Sequence, residues 1–98
     1  MTYLVRFHKE AESEMNDAVD YLNGESPGLG EMFLNDIQHA IDLITSYPEI
    51  APIIKERVRR KLLRKFPYSL IYSVVGEEIR ILTVMHHHRR PFYWRHRS

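Results

Sequence analysis

Between residues 86 and 94 the chain reads His86-His87-His88-Arg89-Arg90-Pro91-Phe92-Tyr93-Trp94, which sets titratable, cationic and aromatic groups side by side. Histidines change charge near neutral pH and so suit proton transfer, while arginine forks hold phosphate or carboxylate. A second basic concentration runs from Arg57 to Lys65 and contains Arg57, Arg59, Arg60, Lys61, Arg64 and Lys65. On a strand, alternate positions share a side, so Arg57, Arg59, Lys61 and Lys65 would track phosphates along one edge with salt-sensitive affinity. The same pattern also fits a solvated strand face with its cations outward. His86 and His88 would share one face and His87 the other. With no cysteine in the chain and no paired carboxylate nearby, they lack the rest of a ligand set, so no metal is expected. Tyr93 and Trp94 could equally pack the tail onto a sheet, and Tyr68 and Tyr72, sharing a strand face, read as core or groove residues.

These groups sit in a chain of 98 residues, 44% apolar, which is enough for one compact core and too short for two. We expect a single domain over residues 1–98. The lack of cysteine excludes disulfides and thiolate chemistry, and no cofactor is expected. The N-terminus has no signal-like pattern and no apolar run could span a bilayer, so a cytoplasmic protein without membrane contact is predicted. The net charge of +1 conceals a division. Residues 1–54 hold ten acidic residues against Arg6 and Lys9, a net −8, and residues 55–98 hold twelve Lys/Arg against Glu56, Glu77 and Glu78, a net +9. Such segregation points to a polyanionic or acidic partner for the second half. No helix-turn-helix spacing, zinc site or RNA-binding aromatic signature accompanies it, so direct sequence-specific DNA binding is not expected.

The elements that must position these groups follow from periodicity. Tyr3 to His8 alternates Tyr3, Val5 and Phe7 on one side, as a strand does. Ala11, Met15, Ala18, Val19 and Leu22 recur at helical spacing up to Asn23-Gly24, and Phe33, Ile37, Ala40, Ile41 and Ile44 repeat it until Tyr47-Pro48. Ser26-Pro27-Gly28 breaks the chain between them, so the two form an antiparallel hairpin. Pro48 to Pro52 reads as a connector before the basic run, which is taken as a strand. Tyr68–Val75 and Glu78–Met85 are dense in β-branched and aromatic residues around a Gly76-Glu77 turn. The predicted fold is α+β: an N-terminal strand, an antiparallel helical hairpin, then a three-stranded antiparallel meander, all in one sheet. One sheet face lies under the hairpin and the other is available.

In this order and length the chain resembles the RelE/ParE family of bacterial type II toxin–antitoxin systems. Val5-Arg6-Phe7-His8-Lys9-Glu10-Ala11 looks like the family's first strand running into a helix, and Leu43-Ile44-Thr45-Ser46-Tyr47-Pro48 like the end of its second helix. Lys65-Phe66-Pro67-Tyr68-Ser69-Leu70-Ile71-Tyr72 is similar to its third-strand pattern of paired tyrosines. The stretch from Ile79 to Trp94 is similar to the last strand and tail of the ParE-like branch. The resemblance implies a growth-inhibiting, plasmid-stabilising toxin silenced by a cognate antitoxin, which would itself carry any contact with DNA. ParE-like members act on DNA gyrase; RelE-like members enter the ribosome and cut messenger RNA without a metal. In the nuclease case Tyr93, Arg89 and His88 would be the catalytic residues. The RelE-like branch has an arginine where this chain has Ser69, so Arg60, Lys61 or Arg64 would have to hold the phosphate instead. Arg57, Arg59, Arg60, Lys61, Arg64, Lys65, Arg90 and Trp94 are expected to bind the target or nucleic acid. That substitution and the tail pattern favour the ParE-like assignment.

Overall fold

A computed structural model describes residues 2–90 and 92–97. The chain runs β1 (Leu4–Phe7), α1 (Lys9–Glu25), α2 (Leu29–Ser46), β2 (Ile53–Lys55), β3 (Val58–Leu62), β4 (Tyr68–Val75) and β5 (Glu78–His86). His8 opens α1 by accepting the Glu10 N–H on Nδ1 at 3.1 Å, in the way a capping side chain satisfies a free helix donor. The turn between the helices depends on Gly28, whose φ of 89° lies in the left-handed region, and on Asn23, whose Oδ1 accepts the Gly30 N–H at 2.8 Å.

The helices bury the stripes that their spacing predicted. Ala11, Ala18 and Leu22 of α1 and Phe33, Ile37, Ala40 and Ile44 of α2 meet Leu70, Tyr72, Ile79, Ile81 and Val84 of the sheet. Each large apolar side chain removed from water contributes about 1.5–3 kcal/mol. Tyr72 is fully buried and donates its phenol proton to the Pro48 carbonyl at 2.7 Å, which holds the end of α2 onto the sheet.

The five strands are ordered β1-β5-β4-β3-β2. β1 runs parallel to β5, with Leu4 opposite Glu78 and Phe7 opposite Ile81, and the other neighbours are antiparallel. The α+β architecture is the one expected, with three differences. The connector leads into an additional short strand, β2, because the β-branched Ile53-Ile54 can turn back at Glu56 (φ 52°) and pair with β3. β3 is shorter than the basic run, because Leu63 turns inward to be buried. Arg57 therefore sits in the β2–β3 turn and Arg64 and Lys65 beyond the strand, so Arg57, Arg59, Lys61 and Lys65 do not line one strand edge. Finally, the second sheet face is not wholly available. A register shift in the β4–β5 pairing leaves Leu82 as an extra residue, and Leu82 joins Ile71 and Met85 beneath the buried Trp94 of the tail. No helix among the described residues is long and apolar enough to cross a membrane.

Candidate functional site

β5 outruns its neighbour β1. The β1 pairing ends at Ile81, whose carbonyl accepts the His8 N–H at 2.9 Å, so the next residues of β5 have no strand beside them. Side chains from both ends of the chain fill that gap. Glu14 Oε1 of α1 accepts the Val84 N–H at 3.2 Å, and Arg97 Nη1 donates to the Leu82 carbonyl at 3.0 Å. The two side chains also bind each other, Nη1 to Oε1 at 2.8 Å and Nη2 to Oε2 at 3.2 Å. Arg97 Nε lies 3.2 Å from Glu10 Oε2, an ion-pair contact without the alignment of a hydrogen bond.

Tyr93 completes this cluster. Its phenol donates to Glu14 Oε2 at 2.6 Å and lies 2.6 Å from Thr83 Oγ1, itself 2.7 Å from Glu14 Oε1. Burial and the hydrogen bond to Glu14 push the Tyr93 pKa up to about 12. Burial pushes Glu14 upward, but hydrogen bonds from Arg97, Tyr93 and Thr83 outweigh it and hold the carboxyl below its ordinary value. A general base must shed its proton near the working pH. Tyr93 instead has its proton fixed on a carboxylate, an arrangement suited to anchoring the tail.

The remaining sequence candidates separate into groups. Arg89 lies over the Tyr93 ring, its guanidinium 4.2 Å from the centroid. His88 is exposed and stacks edge-on against His86 at 4.9 Å. Arg90 is exposed, and Pro91 of the tail motif lies outside the described residues. Arg59 Nη1 donates to the Ala51 carbonyl at 2.7 Å and the Glu49 carbonyl at 3.2 Å, which ties β3 to the connector. Lys61 Nζ donates to the Leu62 carbonyl at 3.2 Å, and Arg64 borders a small recess beside Asp36. The Lys65 backbone N–H donates to Asp36 Oδ2 at 2.8 Å. Arg60 alone of the basic run reaches Ser69, its Nε donating to Oγ at 3.0 Å. No group of three His, Asp or Glu among the described residues is placed to hold a metal ion.

A concavity of about 900 Å³ lies where the end of α2 meets the sheet. Tyr47, Ile50 and Ile53 line it and expose 64%, 48% and 53% of their surface. Arg57 and Arg59 supply positive charge there, beside Glu49 and Glu56. Exposed apolar residues gathered in one groove mark a contact surface.

A family model described as "ParE toxin of type II toxin-antitoxin system, parDE" matches residues 5–91. The chain belongs to this ParE toxin family. Among solved structures, one titled "Chromosomal ParDE TA system from P. aeruginosa" superposes with a TM-score of 0.75 at 19% identity, covering 87% of this chain and 96% of that one. At that identity the likeness establishes the shared fold. No curated protein matches the chain. The ParE family match ends just before the tail segment that carries Tyr93, Trp94 and Arg97, so of the residues closing the β5 edge Glu14 lies within the matched region and Arg97 beyond it.

Sequence reasoning missed Glu14, Asp36 and Arg97. The signal for the first two was present: Glu14 stands three residues after Ala11 and four before Ala18, and Asp36 three after Phe33 and four before Ala40. Each is an acid at a position of the apolar stripe.

Proposed function

We propose that this ParE-family toxin arrests growth through protein–protein contact with DNA gyrase and is not itself a nuclease. The observation supporting this reading is the Tyr93 cluster. The residue that would act on RNA has its proton bound to Glu14 and its pKa near 12. Arg89 is spent over its ring, and His88 is exposed and stacks on His86. The test pairs two assays on the purified toxin. Inhibition of gyrase supercoiling with an intact message is the expected result. Codon-phased cuts in primer extension on translating ribosomes, abolished by Tyr93→Phe, would overturn the reading in favour of a messenger RNA endonuclease.

The antitoxin's seat in this reading is the groove between the end of α2 and the sheet, and its occupant is an acidic, amphipathic antitoxin segment. Exposed Tyr47, Ile50 and Ile53 offer apolar contact, and Arg57 at the mouth of the basic half of the chain favours an acidic partner. Tyr47→Glu combined with Ile53→Asp should abolish co-purification with the antitoxin while leaving the circular dichroism spectrum unchanged. A folded double variant that still binds at full affinity excludes this groove.

A further inference from the structure

The sheet ends at β1, and the outer side of that strand is open. β1 stands first in the order β1-β5-β4-β3-β2, so β5 is the one strand beside it. The amides of Leu4 and His8 turn inward to the carbonyls of Glu77 and Ile81, each at 2.9 Å. Backbone groups of successive strand residues point to opposite sides. The N–H and C=O groups of Val5 and Phe7 therefore point outward, and no hydrogen bond among the described residues reaches them. Open edges are ordinarily blunted by proline or a bulge. The opposite edge follows that rule, since the register of β2 shifts between Ile53 and Lys55. β1 is regular, and Arg6 is its one charged residue.

Its side chains make this edge complementary to itself. Tyr3-Leu4-Val5-Arg6-Phe7 places an aromatic ring at either end and valine at the centre, whichever way it is read. Tyr3, Val5 and Phe7 are partly buried against the core, while on the other face Leu4 is 59% exposed and the Arg6 side chain 68%. An antiparallel second copy centred on Val5 sets Tyr3 opposite the other chain's Phe7 and Leu4 opposite its Arg6. Aromatic pairs across strands are favourable, and like charges directly opposite are not. Centring on Arg6 instead puts two guanidinium groups face to face, and centring on Leu4 carries Phe7 past Tyr3 and leaves it unmatched. Charge agrees with the Val5 register. Arg6 and Lys9 are the only bases in residues 1–54, whereas Glu77 and Glu78 are two of the three acids in residues 55–98 and flank the start of β1, Glu78 opposite Leu4. An antiparallel pair lays the end of one strand beside the start of the other, so the bases of each copy approach the acids of its mate.

We propose that β1 pairs antiparallel with β1 of a second copy of this chain, about a two-fold axis at Val5, joining two five-stranded sheets into one. The outward pairs then exchange both of their backbone hydrogen bonds. A contact that uses the same patch on both copies closes on itself, so it yields a dimer and no longer assembly. The patch is small, which makes the association weak, with dissociation on the order of tens of micromolar. Tyr3 also lines the groove assigned above to the antitoxin, so the two contact surfaces meet at that side chain.

The test is sedimentation equilibrium of the intact chain from about 1 to 300 µM, with amide exchange followed by NMR at both ends of that range. A reversible dimer is expected. The Val5 and Phe7 amides should exchange more slowly as the concentration rises, while those of Leu4 and His8, already bonded to β5, hold constant. Leu4→Lys sets like charges opposite one another in both symmetric pairs and should weaken association about tenfold or more. Adding Arg6→Glu makes those pairs opposite in charge and should recover it. Within each copy the new side chains also face opposite charges on β5, at Glu78 and Arg80. Where a variant fails to fold, the exchange measurement on the unsubstituted chain decides. A chain that stays monomeric throughout, a dimer without added protection at Val5 and Phe7, undiminished association in Leu4→Lys, or a folded double variant that dimerises no better than Leu4→Lys overturns the proposal.

Discussion

Arg97 and Glu14, 83 positions apart in the chain, join at 2.8 Å and together satisfy the backbone of β5 where β1 stops. The pair takes the place of a missing strand: the guanidinium caps a carbonyl and the carboxylate an amide, and each neutralises the other. Four predictions follow from that junction and from its counterpart on α2.

Replacing Arg97 with Met keeps its bulk but leaves Glu14 charged and the Leu82 carbonyl bare. The two side chains are 6% and 17% exposed, so water compensates little. Breaking a buried pair on one side costs about 3 kcal/mol, which should lower the thermal midpoint by more than about 10 °C. Adding Glu14→Gln should recover part of the loss, and a scan in which the two changes are simply additive would show that they are not coupled.

Acid should weaken the protein through the same carboxylate. Glu14 is held below the ordinary value of 4.5, so its contribution is complete above that pH and is lost as the pH falls through its lower folded value. The stability difference between wild type and Glu14→Gln, measured by urea titration, should be flat near neutrality and shrink below pH 4.5. A difference that persists undiminished to about pH 3 contradicts the assigned cause.

For Tyr93 the sign reverses. The folded state prefers the neutral phenol, so its contribution is present below the ordinary value of 10.0 and is lost as the pH climbs toward 12. Tyr93→Phe should cost about 1–2 kcal/mol and should remove the last-titrating phenol from the ultraviolet absorbance curve. Growth arrest should survive at permissive temperature, as befits an anchor.

Asp36 makes the matching connection on α2. Its side chain is 4% exposed and accepts the Lys65 N–H, with Oδ1 buried and unpartnered. Asp36→Ala should cost about 1–3 kcal/mol by orphaning that amide, whereas Asp36→Asn keeps an acceptor and should be nearly neutral by chemical denaturation. Equal losses in both variants would show that the negative charge matters and the hydrogen bond does not.

Much of this protein is legible in its sequence because local periodicity reports burial directly. The Ala11-Ala18-Leu22 and Phe33-Ile37-Ala40-Ile44 stripes, the Gly28 turn, the strands around Gly76 and the chain's family all follow from neighbours a few residues apart. β2 escaped because three residues carry too little pattern to distinguish from a loop, and its existence depends on the partner offered by β3.

The candidate site belongs to the other category. Ser69 Oγ between Arg60 and His87, and Glu14 between Tyr93 and Arg97, are meetings of groups that share no spacing rule, because the sheet order β1-β5-β4-β3-β2 is set by which faces bury together. Residue types determined that cations and phenols would be present near the C-terminus. Only the packed chain decided which of them would be satisfied by a buried carboxylate, as Tyr93 and Arg97 are, and which would turn to a neutral hydroxyl, as Arg60 does toward Ser69, since desolvation and pairing are properties of the place a side chain occupies.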